Sequence, residues 1–325
     1  MRRILSAIML IGTSASTLTV AEVPFNGKSG EALMRAVAAA SRPETTVDKN
    51  TLTFTLRDEF TGRDISVEAG QLPEGYEWDC FVPASWWGNA APGLQRMAAD
   101  DFFNLLPLDA ATRAARRDLP PAVEVTMPSF ADNLWSAGRT ELYGVETEVY
   151  LPPASLRGEL ARVFMYMAAA YPAEVWTERA YMMLDGTLYP ALSGYAIPML
   201  MEWHRSSPPS ESESVRNDRG SGLQGNRNPF VDYPELAEYL WGDRKGEKFI
   251  VEGEAQPLRG VYTAADARVD LYSPEVPADA RWSVDGRAVT ATSIPVSDLA
   301  PESHRLTYTS PSTSESGMVM IKIEK

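Results

Sequence analysis

Across 325 residues the chain carries one cysteine, Cys80, inside the stretch YEWDCFVPASWWG at residues 76–88. A lone thiol has no intramolecular partner, so no disulfide can staple this fold. The fold must be held by a buried apolar core, and 44% hydrophobic residues are enough to build one. The length suits one large domain and a smaller one. In such a chain a single thiol is by default a small buried hydrophobe. Its neighbours decide whether Cys80 is anything more.

The first residues, MRRILSAIMLIGTSASTLTVAE, pair two arginines with an apolar run over 4–12 and a small-residue region ending near Ala21. That pattern predicts a cleaved signal peptide over residues 1–21, too short for a spanning helix of about 20 apolar residues. The product is expected to be secreted or periplasmic. No later segment is apolar for long enough to span a bilayer. Only His204 and His304 are available as imidazole bases or ligands. A formal charge of −14 disfavours a polyanionic partner unless the basic residues cluster.

Periodicity predicts the elements. NGKSGEALMRAVAAASRPE (26–44) reads as a helix with Ser29 at its N-cap and Pro43 beyond its end. TLTFTLRDEFTGRDISVE (51–68) alternates about a Thr-Gly turn, as a hairpin does. A loop around Pro107 and a helix over 109–117 follow. SLRGELARVFMYMAAAYP is the clearest helix, with Leu160, Val163, Phe164 and Met167 on one face. The next helix breaks at a double proline, ESESVRND resumes briefly, and DYPELAEYLWG ends at Gly242. Residues 249–325 then change texture to short alternating runs divided by Gly, Pro and Ser, which predicts a small all-β sandwich-like module. The expected class is α+β, with a large domain over 25–243.

The stretch WHRSSPPSESESVRNDRGSGLQGNRNPFVDYPELAEYLWG (203–242) resembles the C-terminal part of the bacterial endonuclease I family, secreted nucleases of the ββα-metal class. That family carries QGNRNPFVDYPELAEYIWG there. Residues 157–172 are similar to its KGDLARTYFYMATRY helix, and NGKSGEAL to its opening. The resemblance implies a ββα-metal nuclease domain, metal-dependent hydrolysis of DNA or RNA, and Mg2+ as cofactor. On residue chemistry, Asn226, Arg227 and Asn228 form either a hydrogen-bonded scaffold loop or a contact with phosphate. Arg162, Arg216 and Arg227 are the guanidiniums best suited to grip a phosphate bidentately. His204 falls at the family's WH position on a late helix, a structural place.

In the family, NREHSFPKSWWG holds a metal-binding glutamate and the histidine general base. Here EWDCFVPASWWG keeps Pro83, Ser85, Trp86, Trp87 and Gly88 in register, and puts Asp79 and Cys80 at those two positions. The family's DLFHLYPSDGYVNGRRSNYPFG corresponds to DFFNLLPLDAATRAARRDLPPA, with Asp101, Leu105, Pro107, Asp109 and Arg116 in register. Asn104 replaces a histidine, Arg113 the metal-binding asparagine, and Arg117–Asp118 a Ser-Asn pair. An arginine cannot ligate a cation and repels it, so the one metal ligand implied is Asp79, and magnesium is expected to bind weakly or not at all. Three readings follow. The first is a degenerate, weakly active or inactive centre whose Arg113, Arg116 and Arg117, spaced i, i+3 and i+4, share a face for nucleic acid. The second is an active single-metal endonuclease using Asp79 and Asn104. The third is a structural exported protein. The register also expects Cys80 and Arg113 within about 12 Å, because groups that serve one ion must converge on it.

Overall fold

The computed structural model describes residues 23–324 except 26, 88–91, 172–175, 250–257, 267, 274, 278 and 290–292. The leader read over 1–21 lies outside the described residues.

From the N-terminus, helix α1 (Gly30–Ser41) leads to a hairpin of β1 (Phe54–Asp58) and β2 (Arg63–Val67). Next come strand β3 (Tyr76–Cys80), helix α2 (Pro92–Ala99), strand β4 (Leu105–Asp109) and helix α3 (Ala110–Arg116). A meander of β5 (Met127–Ala131), β6 (Ser136–Leu142) and β7 (Val145–Leu151) precedes helices α4 (Arg157–Ala170), α5 (Ala196–Ser206), α6 (Glu211–Gln224), α7 (Pro229–Asp232) and α8 (Leu236–Leu240). Helices and strands are mixed along the chain, as the α+β reading expects.

Helix α4 organises the core. Its apolar residues recur on all sides, so the helix is buried rather than amphipathic. The stripe of Leu160, Val163, Phe164 and Met167 is therefore wider than periodicity predicts: Ala161, Met165, Tyr166 and Ala168 are buried too, with α1 and α5 packed around the helix. Helix α6 runs six residues past the short helix read over 211–218, to Gln224. A capping box between Ser210 and Glu213 closes its start, and Gly225 in the left-handed region (φ 82°) closes its end. It lies against Phe103 because position 220 is glycine; a Cβ there would sit 2.3 Å from the ring.

Pro107, expected in a loop, sits inside β4 opposite Trp78. A ladder of only two strands leaves β4 an open edge, where a missing N–H is tolerated. Asp109 ends that strand and caps α3, its Oδ1 accepting from Ala111 N at 3.0 Å and Thr112 N at 3.2 Å. This β3–β4–α3 unit carries the residues singled out above.

Beyond residue 258 the described chain forms β8 (Val261–Thr263), β9 (Arg268–Asp270), β10 (Arg281–Val284), β11 (Arg287–Val289), β12 (Ser293–Pro295), β13 (Ser303–Thr309) and β14 (Ser316–Glu324). Five strands order as β11-β10-β13-β14-β8, and β12 pairs separately with β9. Trp282, Leu306, Ile321 and Ile323 centre an apolar cluster distinct from the one around α4. Among the described residues no helix is long and apolar enough to cross a membrane.

Candidate active site

Strands β3 and β4 pair antiparallel with Asp79 opposite Leu106 and Cys80 opposite Leu105. Side chains alternate along a strand, so Glu77 and Asp79 share one face and Cys80 takes the other. Helix α3 starts immediately after β4 and turns its arginines back onto the Glu77–Asp79 face. Arg113 donates to Glu77, and its Nε lies 3.6 Å from Asp79 Oδ2. Arg116 Nη1 lies 3.9 Å from the same oxygen. Asp79 Oδ1 accepts the Cys80 N–H at 2.8 Å. The two positions that register assigns to metal ligands, Asp79 and Arg113, are thus neighbours paired with each other.

Cys80 points into the core and is 7% exposed. Its Sγ has the Ala99 carbonyl at 3.8 Å. Burial first, and then the Asp79 charge, push the thiol up to about 12. At neutral pH it is a protonated apolar side chain, with no proton-accepting capacity and no thiolate for a metal.

Asn104, the amide proposed to serve beside Asp79, is fully buried. Its Oδ1 accepts from Val82 N at 2.8 Å, and its Nδ2 donates to Ala98 O at 3.1 Å and Val82 O at 3.3 Å. All its polar atoms brace the chain after β3. The three arginines of α3 do not share one exposed face. Arg116 is 0% exposed, donates from Nη2 to the carbonyls of Cys80 (3.0 Å) and Phe81 (2.6 Å), and lies over the Tyr150 ring. The spacing on α3 puts it on the face packed against β3. Arg113 and Arg117 remain half-exposed, and Arg117 Nη2 pairs with Glu148 at 2.8 Å.

The other arginines are likewise engaged. Arg162 is buried in a bidentate pair with Glu213, at 2.6 and 2.7 Å, which ties α4 to the start of α6. Arg216 donates to the carbonyls of Phe102 at 2.8 Å and Leu105 at 2.5 Å. Arg227 grips Asp232 with two bonds and Asp218 with a third. Its neighbours Gln224, Asn226 and Asn228 are buried. Asn226 donates to Tyr166 Oη at 2.8 Å, and Gln224 donates to Asp101 at 3.1 Å. His204 Nε2 lies 2.8 Å from the Pro234 carbonyl, and burial lowers its pKa. Sequence reasoning misses Glu77 and Glu148. Glu77 is findable, because period two puts it on the face of Asp79; Glu148 comes from β7 and leaves no signal.

These donors do not fit a divalent cation. The Asp79 carboxylate faces two guanidiniums, the Asn104 amide is consumed by backbone, and the Cys80 thiol is turned away. Among the described residues no three His, Cys, Asp or Glu side chains converge as a ligand group.

Comparison with known proteins bears on the same stretch. The model of the Endonuclease I family matches residues 33–235. An extracellular ribonuclease of Bacillus subtilis (strain 168) is 32% identical over 162 residues, 46% of this chain and 49% of that protein. An extracellular deoxyribonuclease of Aeromonas hydrophila is 27% identical over 172 residues, 48% of this chain and 65% of that protein. The match thus spans from about half to just under two thirds of those relatives' length.

Proposed function

The chain belongs to the endonuclease I family, and we propose that it is an exported member whose centre no longer carries out metal-dependent phosphodiester hydrolysis. The observation that carries this reading is the Arg113–Asp79 pair at 3.6 Å. Where members of this family would set a ligand against a cation, this chain sets a fixed positive charge against its carboxylate. The buried Cys80 thiol adds to the case, since it cannot take the proton of an attacking water. Export is supported by the leader-like residues 1–21 and by relatives named as extracellular. We assign residues 25–243 to the nuclease-like domain and 249–325 to a separate sandwich-like β module, a division supported by the two apolar clusters.

A second reading, binding of DNA or RNA without cleavage, is favoured by the half-exposure of Arg113 and Arg117. Their partners Glu77 and Glu148 are themselves more than half exposed, so a phosphate can exchange with them. The test is incubation of supercoiled plasmid and of RNA with the chain, in magnesium and in chelator. No magnesium-dependent cleavage is expected; cleavage that vanishes in Asp79→Ala overturns the proposal.

A further inference from the structure

A cavity of about 420 Å³ lies between β1, the first turn of α4 and the start of α6. Leu106, the register partner of Asp79, is among its lining residues. Phe54, Leu56, Phe102 and Val215 give it apolar walls, and Glu159 and Arg216 supply the polar end. These two side chains are 24% and 21% exposed, with Nη1 and Oε1 3.4 Å apart. Arg216 cannot turn away, because its Nη2 is held by the Phe102 and Leu105 carbonyls. Glu159 has only that long contact to Arg216 among its hydrogen bonds to described residues, so its Oε2 can accept from water or from a ligand in the cavity. The two carboxylate oxygens together can accept from two adjacent donors on one edge of a ligand.

The charges select the kind of ligand. Three arginines and four carboxylates line the space, so it holds no excess positive charge for a phosphate. A neutral, flat molecule with adjacent hydrogen-bond donors on one edge is the match.

We propose that this cavity is a nucleobase subsite that selects guanine. The order of groups on the guanine edge fits the order in the wall. Arg216 Nη1 donates to O6, Glu159 Oε1 accepts from N1–H, and Oε2 accepts from the 2-amino group. Adenine presents an acceptor where the carboxylate requires a donor, and the pyrimidines lack the pair of adjacent donors. This inference goes beyond the loss of hydrolysis and does not depend on it, since the subsite shares no polar group with Asp79 or Arg113.

The test uses the full chain with labelled methyls of Leu56, Leu106 and Val215, titrated in separate arms with guanosine, inosine, adenosine and inorganic phosphate. Guanosine is expected to shift these methyls, inosine about tenfold more weakly for its one missing hydrogen bond, and adenosine and phosphate not at all. Glu159→Gln is expected to weaken guanosine at least tenfold. Val215→Trp, at a 55% exposed position that does not threaten folding, is expected to block it. Absence of a guanosine shift, an equal shift from adenosine, or a phosphate response at the same methyls overturns the proposal. So does unchanged guanosine binding in both variants. Plasmid cleavage is scored in a separate assay, so failure of the guanine site and failure of the hydrolysis reading are distinguishable.

Discussion

Arg113 reaches back from helix α3 to lie between two carboxylates of strand β3, donating to Glu77 and holding its Nε 3.6 Å from Asp79 Oδ2. One guanidinium thus occupies the face on which both acidic side chains project. Arg116, three residues on, approaches Asp79 from the buried side and holds the carbonyls of Cys80 and Phe81. The two arginines neutralise the same carboxylate in different surroundings, and that difference has measurable consequences.

Arg113→Asn is expected to lower stability by no more than about 1 kcal/mol, because the pair is half in water. Arg116→Met strips two buried carbonyls of their donor and is expected to cost about 2–4 kcal/mol. Urea unfolding of the two variants checks this. Equal costs would contradict the inward placement of Arg116.

Cys80 is expected to resist alkylation in the folded protein at pH 8, because burial keeps the thiol protonated. Rapid labelling is expected only after unfolding in denaturant. A native-state rate close to that of a free thiol contradicts the core placement.

Parts of the β3–β4–α3 unit are legible in the sequence because they have local causes. Asp109 followed by an alanine-rich run marks the capped start of α3, and the family register sets Asp79 beside Arg113. The fate of each arginine is not legible. Spacing at i, i+3 and i+4 predicts one face for Arg113, Arg116 and Arg117, yet a three-residue step on so short a helix also separates solvent from strand. Arg162 and Arg216 have the chemistry of phosphate grips, but their partners, Glu213 and the carbonyls after α2, are supplied only by tertiary packing. Pro107 reads as a loop residue because a proline within a strand signals an edge only once the sheet is known to have two strands.

The two histidines are expected to titrate on opposite sides of the ordinary value of about 6.5. Burial lowers His204. Burial also pushes His304 down, but the Ala300 carbonyl and the Asp285 carboxylate outweigh it and hold it above the ordinary value. The His304 contribution to stability is therefore full below pH 6.5 and is lost as pH rises through the raised folded value. For His204 the sign reverses: stability is lost as pH falls below 6.5, where the unfolded imidazole takes a proton that the folded one refuses. Imidazole chemical shifts against pH read both directly, and a shared midpoint contradicts the assignment.

If Arg113 and Arg117 meet nucleic-acid phosphates, replacing both by alanine is expected to flatten the slope of log K against log salt on duplex DNA. The change is at most about two units, near 0.9 for each phosphate that is no longer neutralised. Arg116 faces inward and contributes nothing to that slope. A parent and double variant with the same slope leave no role for this face in binding.

Calorimetric titration of magnesium into the parent chain and into the Asp79→Glu/Cys80→His/Arg113→Asn variant reads directly whether the Arg113–Asp79 pair closes the centre to a cation. With a guanidinium held against Asp79, the parent is expected to show no magnesium site, whereas the variant gains one together with magnesium-dependent plasmid cleavage. A micromolar magnesium site in the parent that disappears in Asp79→Ala contradicts the account.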